Sequence, residues 1–159
     1  MEINDLIQKF SDSRENQQKA IFSTLFIAGN RLQTLFDHQI PDVTLKQFML
    51  LSLVRQAPEP QTFTKLGELL GCSRQNVKKL AAALEKKGFV RIRQNPADIR
   101  AGQVCPTEKV EAYFQKEVSR YQRRLTDLFQ AYSPEELALL FRLLMKLYAG
   151  IDYMEKELP

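Results

Sequence analysis

Apolar residues recur at intervals of three and four over most of this chain, the spacing that places them on one face of a helix. The first long stretch runs from about residue 14 to residue 36 and ends before Pro41, because proline cannot continue a helix. Asp42 or Thr44 can then cap a second helix, which extends to about Arg55. The apolar stripe of the first helix consists of Ile21, Leu25, Ala28, Leu32 and Leu35.

Two further long helices are predicted at the carboxyl end of the chain. One runs from about Thr107 to Tyr132, and the next begins at Ser133, where Ser-Pro-Glu-Glu combines a capping box with proline at the first helical position. Its main apolar stripe consists of Leu137, Leu140, Leu144, Leu147 and Ile151, and further apolar residues outside that stripe are Leu139, Phe141 and Leu143. A helix that is apolar on more than one side needs more than one packing partner.

The middle of the chain predicts two shorter helices joined by a turn. A helix from about Thr64 to Leu70 is stopped by Gly71, and Ser73 supplies the side-chain oxygen that begins the next one. That second helix runs to about Lys87, and its predicted buried face consists of Val77, Leu80, Ala81 and Leu84.

A change of period after this helix predicts a small β-hairpin. The segment 89–93 alternates apolar and charged residues, the segment 95–98 resembles a turn, and Gly102 is predicted to form a second turn. The segment 103–105 can return as the partner strand, which Pro106 keeps short. The predicted fold class is therefore mainly α with a small β-hairpin wing, a winged helix-turn-helix between flanking helices.

The second helix of this motif carries the side chains that base recognition requires. Arginine can donate two hydrogen bonds to guanine, asparagine and glutamine can pair with adenine, and lysines suit phosphates. The residues expected on its exposed face are Ser73, Arg74, Gln75, Asn76, Lys78 and Lys79. A helix of this kind is predicted to enter the major groove of double-stranded DNA. The alternative is an ordinary solvated amphipathic helix.

The tip of the predicted hairpin holds Asp98 and Arg100. An arginine there can enter a narrow minor groove, where the negative potential is concentrated. The charge of Asp98 opposes DNA binding, so we expect Asp98 to hold Arg100 or a nearby basic group in position. The alternative is a turn aspartate beside a solvated arginine.

The charge distribution agrees with an anionic partner for the middle segment alone. The chain has 159 residues and a net charge of +4. Residues 64–109 contain ten basic and four acidic side chains, a net charge of +6, which leaves −2 for the remainder.

Several functional classes are disfavoured by what the chain lacks. Two cysteines and one histidine cannot build a disulfide framework or a four-ligand zinc site, so no metal or cofactor is expected. No paired-carboxylate, phosphate-loop or nucleophile motif indicates an enzyme. No apolar run approaches the ~18 residues of a membrane span, and no targeting segment opens the chain, so we expect a cytoplasmic protein without a membrane partner.

The motifs of the middle segment resemble the MarR family of bacterial regulators. The resemblance lies in Ser-Arg-Gln-Asn-Val at 73–77, Leu-Glu-Lys-Lys-Gly-Phe-Val at 84–90 and Asn-Pro-Ala-Asp-Ile-Arg at 95–100, although Ile99 stands where the family often has a basic residue. It implies a homodimer with N-terminal dimerisation helices (1–40), a DNA-binding domain (41–106) and C-terminal dimerisation helices (107–159). It also implies a repressor that binds a pseudo-palindromic operator and is released by a small molecule.

A cysteine, the single histidine and four apolar residues are the candidates for a role in regulation. Cys72 precedes the second helix of the motif, here called the recognition helix, and lies near Arg74. It is a candidate redox-sensitive thiol, and the alternative is that it serves only as a small residue in the turn. His38 is a candidate pocket residue or a surface histidine. Apolar candidates for an effector pocket are Phe22, Phe26, Phe48 and Met49, for which core packing is an equal explanation.

A second function remains open at this point. A winged helix can also serve as a protein-interaction module in which the basic face binds an acidic partner, because a fold does not fix a function. The Arg-Gln-Asn face favours DNA, since an acidic protein partner requires charge rather than amides.

Overall fold

The computed structural model describes residues 3–95 and 98–158, without the side chains of residues 3, 4, 6, 95 and 98–101. Its elements are α1 (Ile3–Phe10), α2 (Arg14–Gln39), α3 (Leu45–Gln56), β1 (Gln61–Thr62), α4 (Phe63–Leu70), α5 (Arg74–Lys86), β2 (Val90–Asn95), β3 (Asp98–Pro106), α6 (Glu108–Phe129) and α7 (Pro134–Lys156). Residues up to Tyr113 form one compact unit and residues from Phe114 onward form a second.

Thr44 is the residue that begins α3. Its side chain accepts the backbone N–H of Gln47 at 3.3 Å, and the Gln47 side chain accepts the N–H of Thr44 at 3.3 Å. This reciprocal pair satisfies two donors that a helix start otherwise leaves without partners. Asp42, the other predicted cap, instead adopts a left-handed backbone conformation with φ of 72°.

The core of the first unit is built from α3, α4, α5 and the sheet. Its fully buried apolar side chains include Leu50, Leu51, Leu66, Val77, Leu84, Phe89, Val90 and Val104. Three of the four residues predicted for the inner face of α5 are buried, and Leu80 is only half-buried. The helical spacing therefore predicted the orientation of α5 about its own axis.

The sheet has three antiparallel strands in the order β1-β3-β2. The sequence predicted the hairpin of β2 and β3 but not β1, whose two residues carry no periodic signal. The prediction of a turn at Gly102 was wrong, since Gly102 lies inside β3 and pairs with Gln94. A glycine is needed there because a Cβ would overlap the ring of Phe63.

The start of α6 is fastened to the first unit by polar contacts. The Thr107 hydroxyl lies 2.7 Å from the Gly88 carbonyl oxygen and 3.0 Å from that of Phe89. Arg55, in α3, donates to both carboxylate oxygens of Glu111 at 2.7 and 3.0 Å, and this contact raises the pKa of Arg55 above its ordinary value.

Helices α2 and α7 contain no buried residue. Large apolar side chains are exposed along α2 at Ile21, Phe22, Leu25, Phe26, Ile27, Leu32 and Leu35. Those exposed along α7 include Leu137, Leu139, Phe141, Leu143, Leu144, Leu147, Tyr148 and Ile151. Within the part of the chain that the structure describes, no helix combines the length and apolar character needed to cross a bilayer.

Candidate nucleic-acid interface

The turn between α4 and α5 depends on two glycines. Gly71 ends α4 in the left-handed conformation, with φ of 64°, which glycine adopts without steric cost. Gly67 lies so close to the turn that a Cβ on it would approach the Cys72 carbonyl oxygen to 2.6 Å. The Cys72 N–H donates to the Gly67 carbonyl at 2.9 Å, so the turn folds back directly onto α4. Sequence reasoning identified Gly71 but not Gly67, which lies within a helical segment.

Helix α5 begins at Ser73, as predicted. The Ser73 hydroxyl oxygen accepts the backbone N–H of Asn76 at 3.2 Å. Val77, in the first turns of the helix, is fully buried and fixes which side of the helix faces the core. The six side chains predicted for the other side are all exposed: Ser73, Arg74, Gln75, Asn76, Lys78 and Lys79.

The electrostatic character of this surface is positive. The first turn of α5 contains no acidic residue, so nothing there opposes the partial positive charge of the helix start. Glu85, near the other end of α5, accepts the backbone N–H of Ile92 at 2.7 Å and is thereby directed at β2. Backbone donors, Arg74 and the two lysines therefore form a surface suited to anionic groups such as phosphates.

The wing contributes two further exposed arginines. Arg91 and Arg93 alternate along β2 with the buried Val90 and the half-buried Ile92, which confirms the predicted strand with one wet face. Asp98 and Arg100 belong to β3, but their side chains lie outside the described residues, so their predicted contacts stay predictions.

A cleft of about 950 Å³ in the first unit includes Arg91 and Arg93 of the wing in its lining. Its walls come from the end of α3, the loop 57–60, the base of the hairpin and the start of α6. None of the four apolar residues predicted for an effector pocket lines it. Phe48 is instead buried, with its ring centroid 5.1 Å from that of Phe36, and Phe22 contacts Phe26 at 5.0 Å.

The two cysteines and the single histidine do not form a common metal site among the described residues. Cys72 and Cys105 are both half-buried free thiols, and His38 is exposed. Among residues 3–95 and 98–158, no three histidine, cysteine, aspartate or glutamate side chains are grouped so as to hold a metal ion.

A known family model covers α3, the helix-turn-helix and most of the wing. Residues 43–101 match the sequence model described as the MarR family. This segment of the chain is similar to the winged helix-turn-helix of the MarR family. The matched segment begins before α3 and ends within β3, so it contains the whole exposed surface of α5.

Solved structures of MarR-family regulators share the fold over most of this chain. A MarR/EmrR family transcriptional regulator from Acinetobacter sp. ADP1 has 19% sequence identity and a TM-score of 0.74, with 86% of this chain and 97% of that chain covered. A MarR family regulator from Streptomyces coelicolor, in complex with DNA, has 20% identity and a TM-score of 0.75, with 87% and 88% covered. A mutant MarR from E. coli complexed with operator DNA has 22% identity and a TM-score of 0.73, with 86% and 99% covered.

Proposed function

We propose that this MarR-family chain is a sequence-specific DNA-binding transcriptional regulator that acts as a homodimer in the cytoplasm and catalyses no reaction. The observation that carries the proposal is the composition of the exposed side of α5. Arg74, Gln75 and Asn76 present guanidinium and amide groups opposite the fully buried Val77. These groups match the donors and acceptors on base edges in the major groove.

Phosphate contacts supply the remaining affinity in this proposal. Lys78 and Lys79 provide mobile positive charges for the DNA backbone, and Ser73 supports the helix start while its hydroxyl can still donate to a phosphate. Arg100 enters the adjacent minor groove from the wing, and Asp98 orients it. Two structurally similar MarR-family proteins are solved in complex with DNA, which supports this assignment.

Dimerisation is proposed from the exposed apolar surface of α2 and α7. The helices of residues 1–40 and 107–159 would associate with those of a second copy, and residues 41–106 would form the DNA-binding domain. Soluble monomers rarely expose so many large apolar side chains on neighbouring turns of a helix. A twofold-symmetric pair of recognition helices then binds two half-sites about one helical turn apart, which makes the operator pseudo-palindromic.

The proposal also includes repression of transcription and its relief by a small-molecule effector. A dimer seated on an operator excludes other DNA-binding proteins, and a small-molecule effector that favours a different spacing of the two recognition helices releases it. Similar structures include a regulator from Streptomyces coelicolor with its natural ligand and one from Bordetella bronchiseptica whose DNA binding 6-hydroxynicotinic acid regulates. No metal or organic cofactor takes part.

Selection of bound duplexes from a random DNA pool tests the function. The full-length chain is expected to enrich a pseudo-palindrome whose half-sites lie about one helical turn apart. Recovery of unenriched DNA would contradict the proposal. Together with salt-sensitive binding to an acidic protein, that outcome would favour the interaction module instead.

A further inference from the structure

We propose that Lys87 is a positioning residue for the recognition helix. Its side chain joins the carboxyl end of α5 to the segment 40–44 between α2 and α3, here called the corner. This contact fixes the orientation of α5 relative to α2. The proposal rests on the function proposed above, because the orientation of α5 matters most when two recognition helices must meet two half-sites at once.

The side chain of Lys87 spans two segments that are far apart in the sequence. Its Nζ donates to the backbone carbonyl oxygen of Asp42 at 2.6 Å and to Oε1 of Gln47 at 3.0 Å. The same Gln47 oxygen accepts the N–H of Thr44 in the capping box of α3. One ammonium group therefore binds both the corner and the first turn of the following helix.

The corner that Lys87 contacts is itself held in one conformation. Asp42 has a left-handed backbone, which costs a non-glycine residue free energy and persists only where the surroundings enforce it. The Pro41 carbonyl accepts the Val43 N–H at 2.9 Å and the Tyr113 hydroxyl at 3.3 Å. The Asp42 carbonyl, in turn, accepts the Lys87 ammonium.

Lys87 is also held from its own side. Its backbone carbonyl accepts Nζ of Lys109 at 2.6 Å, and that ammonium lies 4.5 Å from the centroid of the buried Phe89 ring. The C-cap of α5 is therefore fixed to the start of α6 as well as to the corner. Because Lys87 is held at both its backbone carbonyl and its ammonium group, it couples the position of the corner to that of the end of α5 more tightly than a solvated lysine would.

The corner is connected to the end of α2 by a ring contact and by hydrogen bonds. The ring centroids of Phe36, in α2, and Phe48, in α3, lie 5.1 Å apart. Asp37 accepts the backbone N–H of Leu45 through its side chain, and the Ile40 N–H closes α2 on the Phe36 carbonyl at 2.9 Å. Since α2 carries seven exposed large apolar side chains, a dimer formed through α2 would set the spacing of the two α5 helices through this link.

The test measures spacing preference, which a purely stabilising or purely electrostatic role would not change. The full-length chain is assayed on the duplex recovered by selection and on versions with one or two base pairs added or removed between the half-sites. Lys87→Met removes the link, and Lys87→Leu, which also has no side-chain donor, is a second such variant that serves if the first does not fold. Lys86→Met is the matched control, because Lys86 is an exposed neighbour with the same charge whose side chain makes no hydrogen bond among the described residues.

We expect Lys87→Met to lower the affinity ratio between the preferred and altered spacings by about fivefold or more, the low end of a typical coupling between sites. The dependence of affinity on salt should stay that of wild type, since no phosphate contact is lost. Lys86→Met should keep the wild-type ratio, and Lys87→Arg, which retains the donors, should restore most of it. In the free protein, amide hydrogen exchange of residues 42–47 should become faster in Lys87→Met.

An unchanged spacing ratio in Lys87→Met, or equal losses in both methionine variants with a shallower salt dependence, would overturn the proposal. Failure of the wild type to select any sequence would instead refute the proposed function. In that case hydrogen exchange tests the link by itself, and unchanged exchange of residues 42–47 in Lys87→Met would refute the link too.

Discussion

The hydroxyl oxygen of Ser73 accepts the backbone N–H of Asn76 at 3.2 Å, at the point where the recognition helix begins. The contact determines where α5 starts, and the buried Val77 determines which of its side chains are exposed. Ser73→Ala should lower the free energy of unfolding by about 1 kcal/mol, because it removes a helix N-cap. Urea denaturation measures this loss.

Ser119→Ala is the control for that substitution. Ser119 is exposed within α6, where alanine is a good helix former, so its replacement should leave the midpoint of unfolding nearly unchanged. Equal effects of the two substitutions would show that the Ser73 cap contributes nothing specific.

We expect sequence discrimination to depend most on Arg74. Arg74→Ala should weaken binding to the selected duplex by roughly 1–3 kcal/mol and relax the preference at one base position. Lys19→Ala removes the same charge from an exposed position on α2 and should retain full discrimination. Competition binding with single-base variants of the duplex measures both, and unchanged discrimination in Arg74→Ala would remove this residue from base recognition.

Lys78 and Lys79 are expected to contact phosphates rather than bases. Replacing both with alanine should weaken binding about equally for all sequences and lower the slope of log affinity against log salt by about 2, since each phosphate contact contributes about 0.9. Titrations at several salt concentrations measure the slope. A wild-type slope in the double variant would place both lysines away from DNA.

The inner face of α5 could be predicted from the sequence, because burial of one face of a helix imposes a regular spacing on its apolar residues. The spacing of Val77, Ala81 and Leu84 predicted the inner face of α5, and Ser73 and Ser133 marked two helix starts correctly. These are local signals, in which each residue carries its own structural preference. The six candidate contacts on α5 were placed on an exposed surface for the same reason.

What the sequence did not reveal depends on contacts between distant residues. Gly102 resembles a turn residue, and only the approach of Phe63, 39 positions earlier in the numbering, explains its place inside β3. The two-residue strand β1 exists because β3 offers it a partner. The link from Lys87 to Asp42 crosses 45 positions, and no pattern along the chain indicates it.

Exposed aromatic residues on α7 provide a test of the proposed dimer. Phe141 and Tyr148 are 64% and 63% exposed and lie seven residues apart, hence on one side of the helix. Replacing both with glutamate should convert a dimer into a monomer of 18.4 kDa, because burying the new charges would be costly.

Sedimentation equilibrium measures the mass, and Gln130→Glu, which adds a charge at an exposed position outside α6 and α7, is the control. A wild-type chain that is already monomeric would contradict the dimer, and so would a double variant that stays dimeric.

Base recognition by the exposed side of α5 is tested most directly by one affinity ratio. Fluorescence anisotropy at physiological salt compares the full-length chain on the selected duplex and on a scrambled duplex of the same length and composition. A specific regulator should bind the selected duplex about 1,000-fold more tightly or better. Equal affinities for the two duplexes would mean that the positive surface binds DNA through charge alone and would contradict the account.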